Sequence, residues 1–343
     1  MGILGDGAAL VGNLVPTGLI TAASKLAEAP LELANVATKL VEAIAINSVW
    51  EKRRDGKTFV VKRRNLHSEQ LADLTNLYFR MANIPIRFWS KVEQWRRWEV
   101  GCFEMLNGDQ FDAYKAGKRC VVAEKLPGVG LWDLMNRGAL TKRILQAAAK
   151  EFRRAHQFWA DEFGDRWSHG DATTQNVLYE AKTNRARLID FEIVHEKSLG
   201  AAARQADDLL VFLLDMVGIV PTRQWLPFAT AFLEAYGDAD VIAEVRKQLD
   251  LPGGLAWIWW GVRTNFSNPA KVKQRLTNLS RAIRKLKLYE AAPAVRVRNK
   301  RLPSINCHAI TPGMPRVSSR TRAIKDRAKA VSPGIPRRLP TKT

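Results

Sequence analysis

The chain has 343 residues, of which 46% are hydrophobic and eleven are Trp, and it carries a formal net charge of +20. That apolar content excludes a chain disordered throughout, and the length allows one large core or two modest ones, since domains commonly hold about 100–200 residues. Three scattered cysteines, Cys102, Cys120 and Cys307, exclude a disulfide framework and a cysteine metal cage, and they fit a reducing compartment.

Residues 1–30 read as an apolar arm. Gly7 to Ser24 carries no charge over 18 residues, but Gly, Asn, Pro and Thr dilute it and no basic stretch leads into it. A signal peptide is not expected on that pattern, and a spanning helix needs about 20 strongly apolar residues, so a loose arm or surface-lying segment is expected. Helical spacing follows over Glu32–Ala45 (ELANVATKLVEAIA). Next, SVWEKRRDGKTFVVKRR predicts strand, turn, strand, with Asp55-Gly56 as the hairpin signal. Helices are expected through SEQLADLTNLYFRMA and through KVEQWRRWEVGCFEMLNG, the second closed by Gly108. RCVVAEKLPG reads as a buried strand stopped by Pro127-Gly128, and from LWDLM onward helices dominate, interrupted by the short strands NVLY and ARLIDF. The pattern is α+β with two lobes, a small strand-rich one ahead of a larger helical one, and a cleft between lobes is where ligands commonly sit.

Near the C-terminus, KVKQRLTNLSRAIRKLKL spaces Val272, Leu276, Leu279, Ile283 and Leu286 as a helix core face. Lys271, Lys273, Arg275, Arg281, Arg284, Lys285 and Lys287 lie on its other faces, which reads as solvated charge or as a basic surface for an anionic membrane or glycolipid. WIWWGVR, Trp257–Arg263, reads as core aromatics by default. From Ala294 to Thr343 thirteen Lys or Arg stand against the single Asp326, a net +12 of the +20, together with six of the fifteen prolines. Such a composition predicts a disordered basic tail with affinity for polyanions.

The chemistry concentrates in HGDATTQNVLY, His169–Tyr179, and in LIDFE after it. Asp171 and Asn176 are five residues apart, and Asp190 follows Asn176 by fourteen, enough for a strand, a turn and a return strand. Pairing those strands would bring Asn176 and Asp190 together as an oxygen site suited to Mg²⁺ that keeps its waters and a substrate's phosphates. Asp171, just outside that pair, could accept or orient the proton of an attacking hydroxyl.

These two strings resemble the catalytic loop and metal-binding aspartate of the protein-kinase-like fold, where protein kinases carry H-R-D-L-x-x-x-N and D-F-G. The HGD form is similar to that of the aminoglycoside phosphotransferases, choline-type kinases and lipopolysaccharide-core (Kdo/heptose) sugar kinases. The resemblance implies Asp171 as catalytic aspartate, Asn176 and Asp190 as Mg²⁺ ligands and His169 as a brace for the loop. It extends to Lys62 in TFVVKRR as the lysine that holds ATP phosphates, with Glu99 in WEVGCFEMLNG as its partner. VVAEKLPG resembles the hinge, where backbone groups from Glu124 to Leu126 would meet adenine. ARQADDLLVFLLDM resembles the helix whose aspartate, here Asp208, ties the loop's backbone. Taken singly, Asp and Asn are turn formers and Lys62 sits in a basic strand end; their order along about half the chain carries the likeness. The lobes implied are 31–126 (nucleotide-binding) and 127–293 (catalytic loop and acceptor side), between the arm over 1–30 and the tail over 294–343.

The pattern also departs from the family. No G-x-G-x-x-G precedes Lys62, and Lys62 to Glu99 spans 37 residues, which makes Glu69 a rival partner. Glu192 stands where D-F-G has glycine, and Gly170 where protein kinases have arginine. Asp190 and Asp208 are only 18 residues apart, which leaves little room for a peptide platform. The expectation is therefore an ATP- and Mg²⁺-dependent phosphotransferase acting on a hydroxyl of a small-molecule, sugar or glycolipid acceptor. The alternatives are an atypical Ser/Thr protein kinase and a pseudokinase scaffold that binds polyanions through the tail. The expected location is cytoplasmic, with the inner face of the membrane as a peripheral site. An anionic membrane surface or another polyanion is a candidate partner for the tail, and no specific nucleic-acid partner is expected.

Overall fold

The computed structural model of the protein describes residues 46–286; the expected arm, the helix at 32–45 and the basic tail lie outside them. Strands β1 (Asn47–Arg54) and β2 (Lys57–Arg64) form an antiparallel hairpin. Asp55 and Gly56 both take positive φ (51° and 75°), the two-residue turn whose twist matches the strands it joins. Helix α1 (Ser68–Met81) and the three-residue strand β3 (Ile86–Phe88) precede helix α2 (Val92–Asn107), which Gly108 closes. Strands β4 (Ala113–Ala116) and β5 (Cys120–Glu124) complete a four-stranded sheet in the order β1-β2-β5-β4. In its register Lys62 lies between Val49 and Val121. Helix α2 packs on that face of the sheet: Glu93 reaches Lys115, and Trp95, Trp98, Glu99, Cys102, Phe103 and Leu106 form its buried stripe.

After β6 (Val129–Gly130) come α3 (Leu131–Asn136), α4 (Lys142–Ala155) and the short pair β7 (Trp159–Ala160) and β8 (Asp165–Arg166). Strands β9 (Val177–Glu180) and β10 (Arg185–Leu188) pair antiparallel, and β11 (Ile193–His195) pairs with β3. Five helices follow: α5 (Ala201–Val217), α6 (Thr222–Tyr236), α7 (Ala239–Lys247), α8 (Ala256–Arg263) and α9 (Pro269–Ile283). The fold is thus mixed α and β, with its larger core drawn from α2, α4, α5 and α6 and from Val177, Leu188 and Phe191. A smaller cluster gathers Ile46, Ala72, Phe79, Ile86, Phe88, Ile193 and Trp259. No helix among the described residues is long and apolar enough to cross a membrane.

Helix α5 is buried on nearly every side, as expected of a helix that is apolar all round. On α9 the predicted apolar face is buried, Val272, Leu276, Leu279 and Ile283 included. Arg275 corrects the reading of the other faces. It is buried and donates to the carbonyls of Val217 and Val220 and to Thr222 Oγ1, so it satisfies orphan carbonyls after α5 and is no part of a basic surface. Trp259 and Trp260 are core residues, as the sequence suggests.

Candidate active site

The β9–β10 register sets Val177 against Leu188, and the Ile189 N–H donates to the Asn176 carbonyl (3.0 Å). Asn176 and Asp190 therefore sit just beyond matching ends of one hairpin. Asp190 takes a left-handed φ of 66°, a conformation that favours glycine and that clusters at functional sites when another residue holds it. The Asn176 amide donates to the Asp171 carbonyl (2.7 Å) and to Asp171 Oδ2 (3.1 Å). Its NH₂ group is thereby committed to Asp171 and its carbonyl oxygen is the atom left to accept.

Lys62 Nζ lies 2.5 Å from Glu99 Oε1 and 2.9 Å from Asp190 Oδ1. The lysine side chain is 14% exposed and that of Asp190 38%, so the ammonium is enclosed while the aspartate still faces solvent. Burial opposes the Lys62 charge, but the carboxylates of Asp190, Glu99 and Glu192 outweigh it and hold the ammonium well above its usual range. Glu99 also accepts the Phe191 N–H at 3.0 Å, which ties α2 to the segment carrying Asp190. Glu69 goes elsewhere, to Lys91 and to the Val92 N–H at the start of α2. Glu192 accepts from Asn47, and burial followed by the Asp190 charge pushes its carboxyl up to about 8.

The HGD loop is held from beneath by α5. Asp208 Oδ2 accepts the His169 N–H (2.7 Å) and His156 Nε2 (3.1 Å), and Oδ1 accepts the Gly170 N–H (2.8 Å). Burial disfavours this carboxylate, yet the hydrogen bond from His156 and the charges around it hold its pKa below the usual carboxylate range. Two turns along the same face, Asp215 accepts both the N–H (2.8 Å) and the hydroxyl (2.5 Å) of Thr174. Asp207 takes Arg263 in a two-pronged pair at 3.0 Å and His195 at 3.1 Å, and His195 meets Ser168 Oγ at 3.0 Å. His169 braces the loop as a polar group too: its Nε2 lies 3.0 Å from the Ile189 carbonyl, and its ring packs between Trp167 and Phe191. Gly170 has φ +90°, and a Cβ there would lie 2.6 Å from the Ile193 carbonyl oxygen. Strand β11 thus passes too close for any side chain at the position where protein kinases carry arginine.

Burial, then the neighbouring charge of Asp190, raises the Asp171 carboxyl from 3.8 to about 7, with Arg263 opposing. A carboxyl poised near neutrality can take or orient a hydroxyl proton. At the end of β5, the Glu124 N–H is spent on the Asp112 carbonyl and the Lys125 N–H on the Thr58 carbonyl. The Glu124 side chain pairs with Lys57 (2.8 Å), and Leu126 is buried. The structure therefore brings Lys62, Glu99 and Asp190 into direct contact, joins Asp171 to Asn176 and joins His169 to Asp208, whereas Glu124 and Leu126 stand apart at the strand exit. Asp215, Thr174, Asp207, His156 and Arg263 were not anticipated. Their one signal was acidic residues seven apart on an otherwise apolar helix.

No protein-family model matches the chain, and no curated protein matches it. Among solved structures it is similar to an ethanolamine kinase of Plasmodium vivax, with 9% identity over 69% of this chain and 79% of that one and a TM-score of 0.40. It is also similar to the bifunctional kinase-methyltransferase WbdD, with 19% identity over 61% of this chain and 45% of that one and a TM-score of 0.31. A third is Rv3197 of Mycobacterium tuberculosis, solved with erythromycin, with 17% identity over 80% of this chain and 87% of that one and a TM-score of 0.32. At such levels these likenesses carry no argument about what this chain binds. The strand of Lys62, the helix of Glu99, the strand leaving the sheet, the HGD loop and Asp190 follow one another in the order that the sequence resemblance implies, and Lys62, Glu99 and Asp190 are in contact.

Proposed function

We propose that the chain is an ATP-dependent phosphotransferase, requiring Mg²⁺, that acts on a hydroxyl group of a small-molecule, sugar or glycolipid acceptor. The contact of Lys62 Nζ with both Glu99 and Asp190 carries this reading, because it sets a buried cation beside an open carboxylate, as a nucleotide's phosphates and metal require. In it the four-stranded sheet with α2 is the nucleotide-side lobe and the helices from α3 onward the acceptor-side lobe. The residues present fit the ion: the Asn176 carbonyl and the Asp190 carboxylate are hard oxygen donors suited to a cation that keeps its waters. Bound there, Mg²⁺ would neutralise charge across the phosphates.

Lys62, held in place by Glu99, grips the phosphate oxygens. The Leu126 N–H, which has no hydrogen-bond partner among the described residues, meets the base edge of adenine. Asp171, kept in place by the Asn176 amide, orients the acceptor hydroxyl and draws on its proton for in-line attack. Asp208 and Asp215 fix the loop backbone on either side of Asp171, so that its carboxyl is already aimed. A small acceptor is favoured because only β11 and a five-residue link separate Asp190 from α5 on the far side of Phe191 and Glu192.

The test is thermal unfolding with and without ATP and Mg²⁺, since a ligand bound to the native state raises its midpoint. Wild type should show a metal-dependent rise that Asp190→Ala loses and Asp171→Ala retains, whereas transfer to a sugar or lipopolysaccharide-fragment panel should vanish in Asp171→Ala. No rise at saturating nucleotide, or full turnover by either variant, would end the proposal.

A further inference from the structure

The four-stranded sheet has two faces, and α2 covers one of them. On the α2 side Val49, Lys62, Val121 and Lys115 stand in register, and Lys115 meets Glu93 of α2. Side chains alternate along a strand, so the residues next to these point the other way. There Trp50, Val61, Val122 and Tyr114 oppose one another across all four strands, a row about 14 Å long at the usual strand spacing. Phe59 joins it, its ring edge-on to Tyr114 at 6.5 Å. Val61 and Val122 are only 6% and 8% exposed, yet they belong to neither hydrophobic cluster. The row is thus a third apolar patch, apart from both cores.

Trp50 and Tyr114, at its two ends, are 37% and 42% exposed, and neither the indole N–H nor the phenol hydroxyl has a hydrogen-bond partner among the described residues. Each offers an apolar ring with a wet polar tip, the combination that suits Trp and Tyr to a membrane–water interface. Cations rim the row on the same face, with Lys52, Arg54 and Lys57 toward the hairpin turn and Arg63 on the other side. Arg54 pairs with Asp55, and Lys57 with Glu124 and Asp112, whereas Lys52 and Arg63 have no ion pair among the described residues. An apolar centre inside a basic rim complements an anionic bilayer, whose headgroups attract Lys and Arg while its interface accepts aromatic rings. A nucleic-acid platform fits less well, because the centre of the row is valine, which offers no ring for a base to stack on.

We propose that this outer sheet face, from Trp50 to Tyr114, is a docking surface for an anionic bilayer. It is separate from the basic tail and does not depend on the phosphotransferase reading. If that reading holds, docking would keep the enzyme at the surface where a glycolipid acceptor lies.

Flotation of the full chain with phosphatidylcholine vesicles, with and without an equal share of phosphatidylglycerol, tests it. Binding should need the anionic lipid. Lys52→Gln/Arg63→Gln should lower the partition coefficient at least tenfold, at about fivefold for each cation. Trp50→Ser/Tyr114→Ser should lower it too and leave the remainder more sensitive to salt. Melting midpoints matching wild type mark an intact fold, and the charge variant, altered only at exposed or rim positions, decides the matter if the aromatic one unfolds. Equal partition by wild type and the charge variant would overturn the proposal, since the tail or another surface would then be holding the vesicles. Failure to bind anionic vesicles would also overturn it. If the same variants then weakened capture of a single-stranded oligonucleotide or self-association, the face would belong to nucleic acid or to a second copy.

Discussion

Asp208→Asn keeps the shape of the side chain and removes one acceptor and the charge. The carboxylate now serves three donors, the N–H groups of His169 and Gly170 and the ring of His156, at 2.7, 2.8 and 3.1 Å. An asparagine has one carbonyl oxygen, so in either orientation its NH₂ confronts at least one buried backbone N–H. That orphaned donor costs about 1–3 kcal/mol. The bonds that remain lose their charge assistance, worth about 1 kcal/mol each. The sum is about 3–5 kcal/mol, a large part of the 5–15 kcal/mol that typically separates folded from unfolded chains. Urea unfolding should show a lower midpoint at unchanged m-value, and a thermal melt should fall by about 10 °C. A variant within about 0.5 kcal/mol of wild type would refute the reasoning, for it would mean that the loop amides do not depend on a charged acceptor.

Two further outcomes follow from the same geometry. Gly170→Ala should destabilise by about 2–4 kcal/mol and slow refolding little, because a Cβ 2.6 Å from the Ile193 carbonyl forces β11 away from the loop; an unchanged denaturation midpoint would show that the strand can yield. Asp171→Asn should gain stability relative to wild type between pH 5 and pH 8, and the gain should fade as pH falls toward 3.8. The folded-state value of Asp171 lies above the unfolded one, so the stability its protonated form contributes is lost as pH rises from 3.8 to about 7. Discounted for the solvent that still reaches the side chain, the difference between pH 5 and pH 8 is about 2 kcal/mol. A gap between variant and wild type that stays flat from pH 5 to pH 8 would contradict it.

The hairpin, α2 and the order of lysine, glutamate and two aspartates were legible because each is local: a two-residue turn, a helical stripe, a polar string before a short strand. Lys62 and Glu99 could be paired across 37 residues only through the family likeness, and the structure places them 2.5 Å apart. The strands IRF and IVH were not legible, since three residues are too few to show a period, and their pairing is set by the packing of Phe88 and Ile193 with Phe79. Arg275 looked like one more surface cation in a basic run because sequence spacing does not reveal carbonyls waiting at the end of another helix. Helix α1 was legible as a helix but its facing was not, because the two hydrogen bonds of Asn76 to Phe88 help set which side turns inward.

The loop, the aspartate that follows it and the helix that holds them all fall between His169 and Val217, so the aim of Asp171 is set within one contiguous stretch of chain. The lysine comes from a distant stretch, and its 2.9 Å bond to Asp190 is a side-chain joint between the two. Any movement of the sheet and α2 relative to α5 would register at that joint and at the Glu99–Phe191 bond beside it, while the Lys62–Glu99 pair and the Asp208-bound loop each travelled intact. A single pair of labels, one near Lys62 and one near Asp190, would therefore read the opening of the site as a change in one distance.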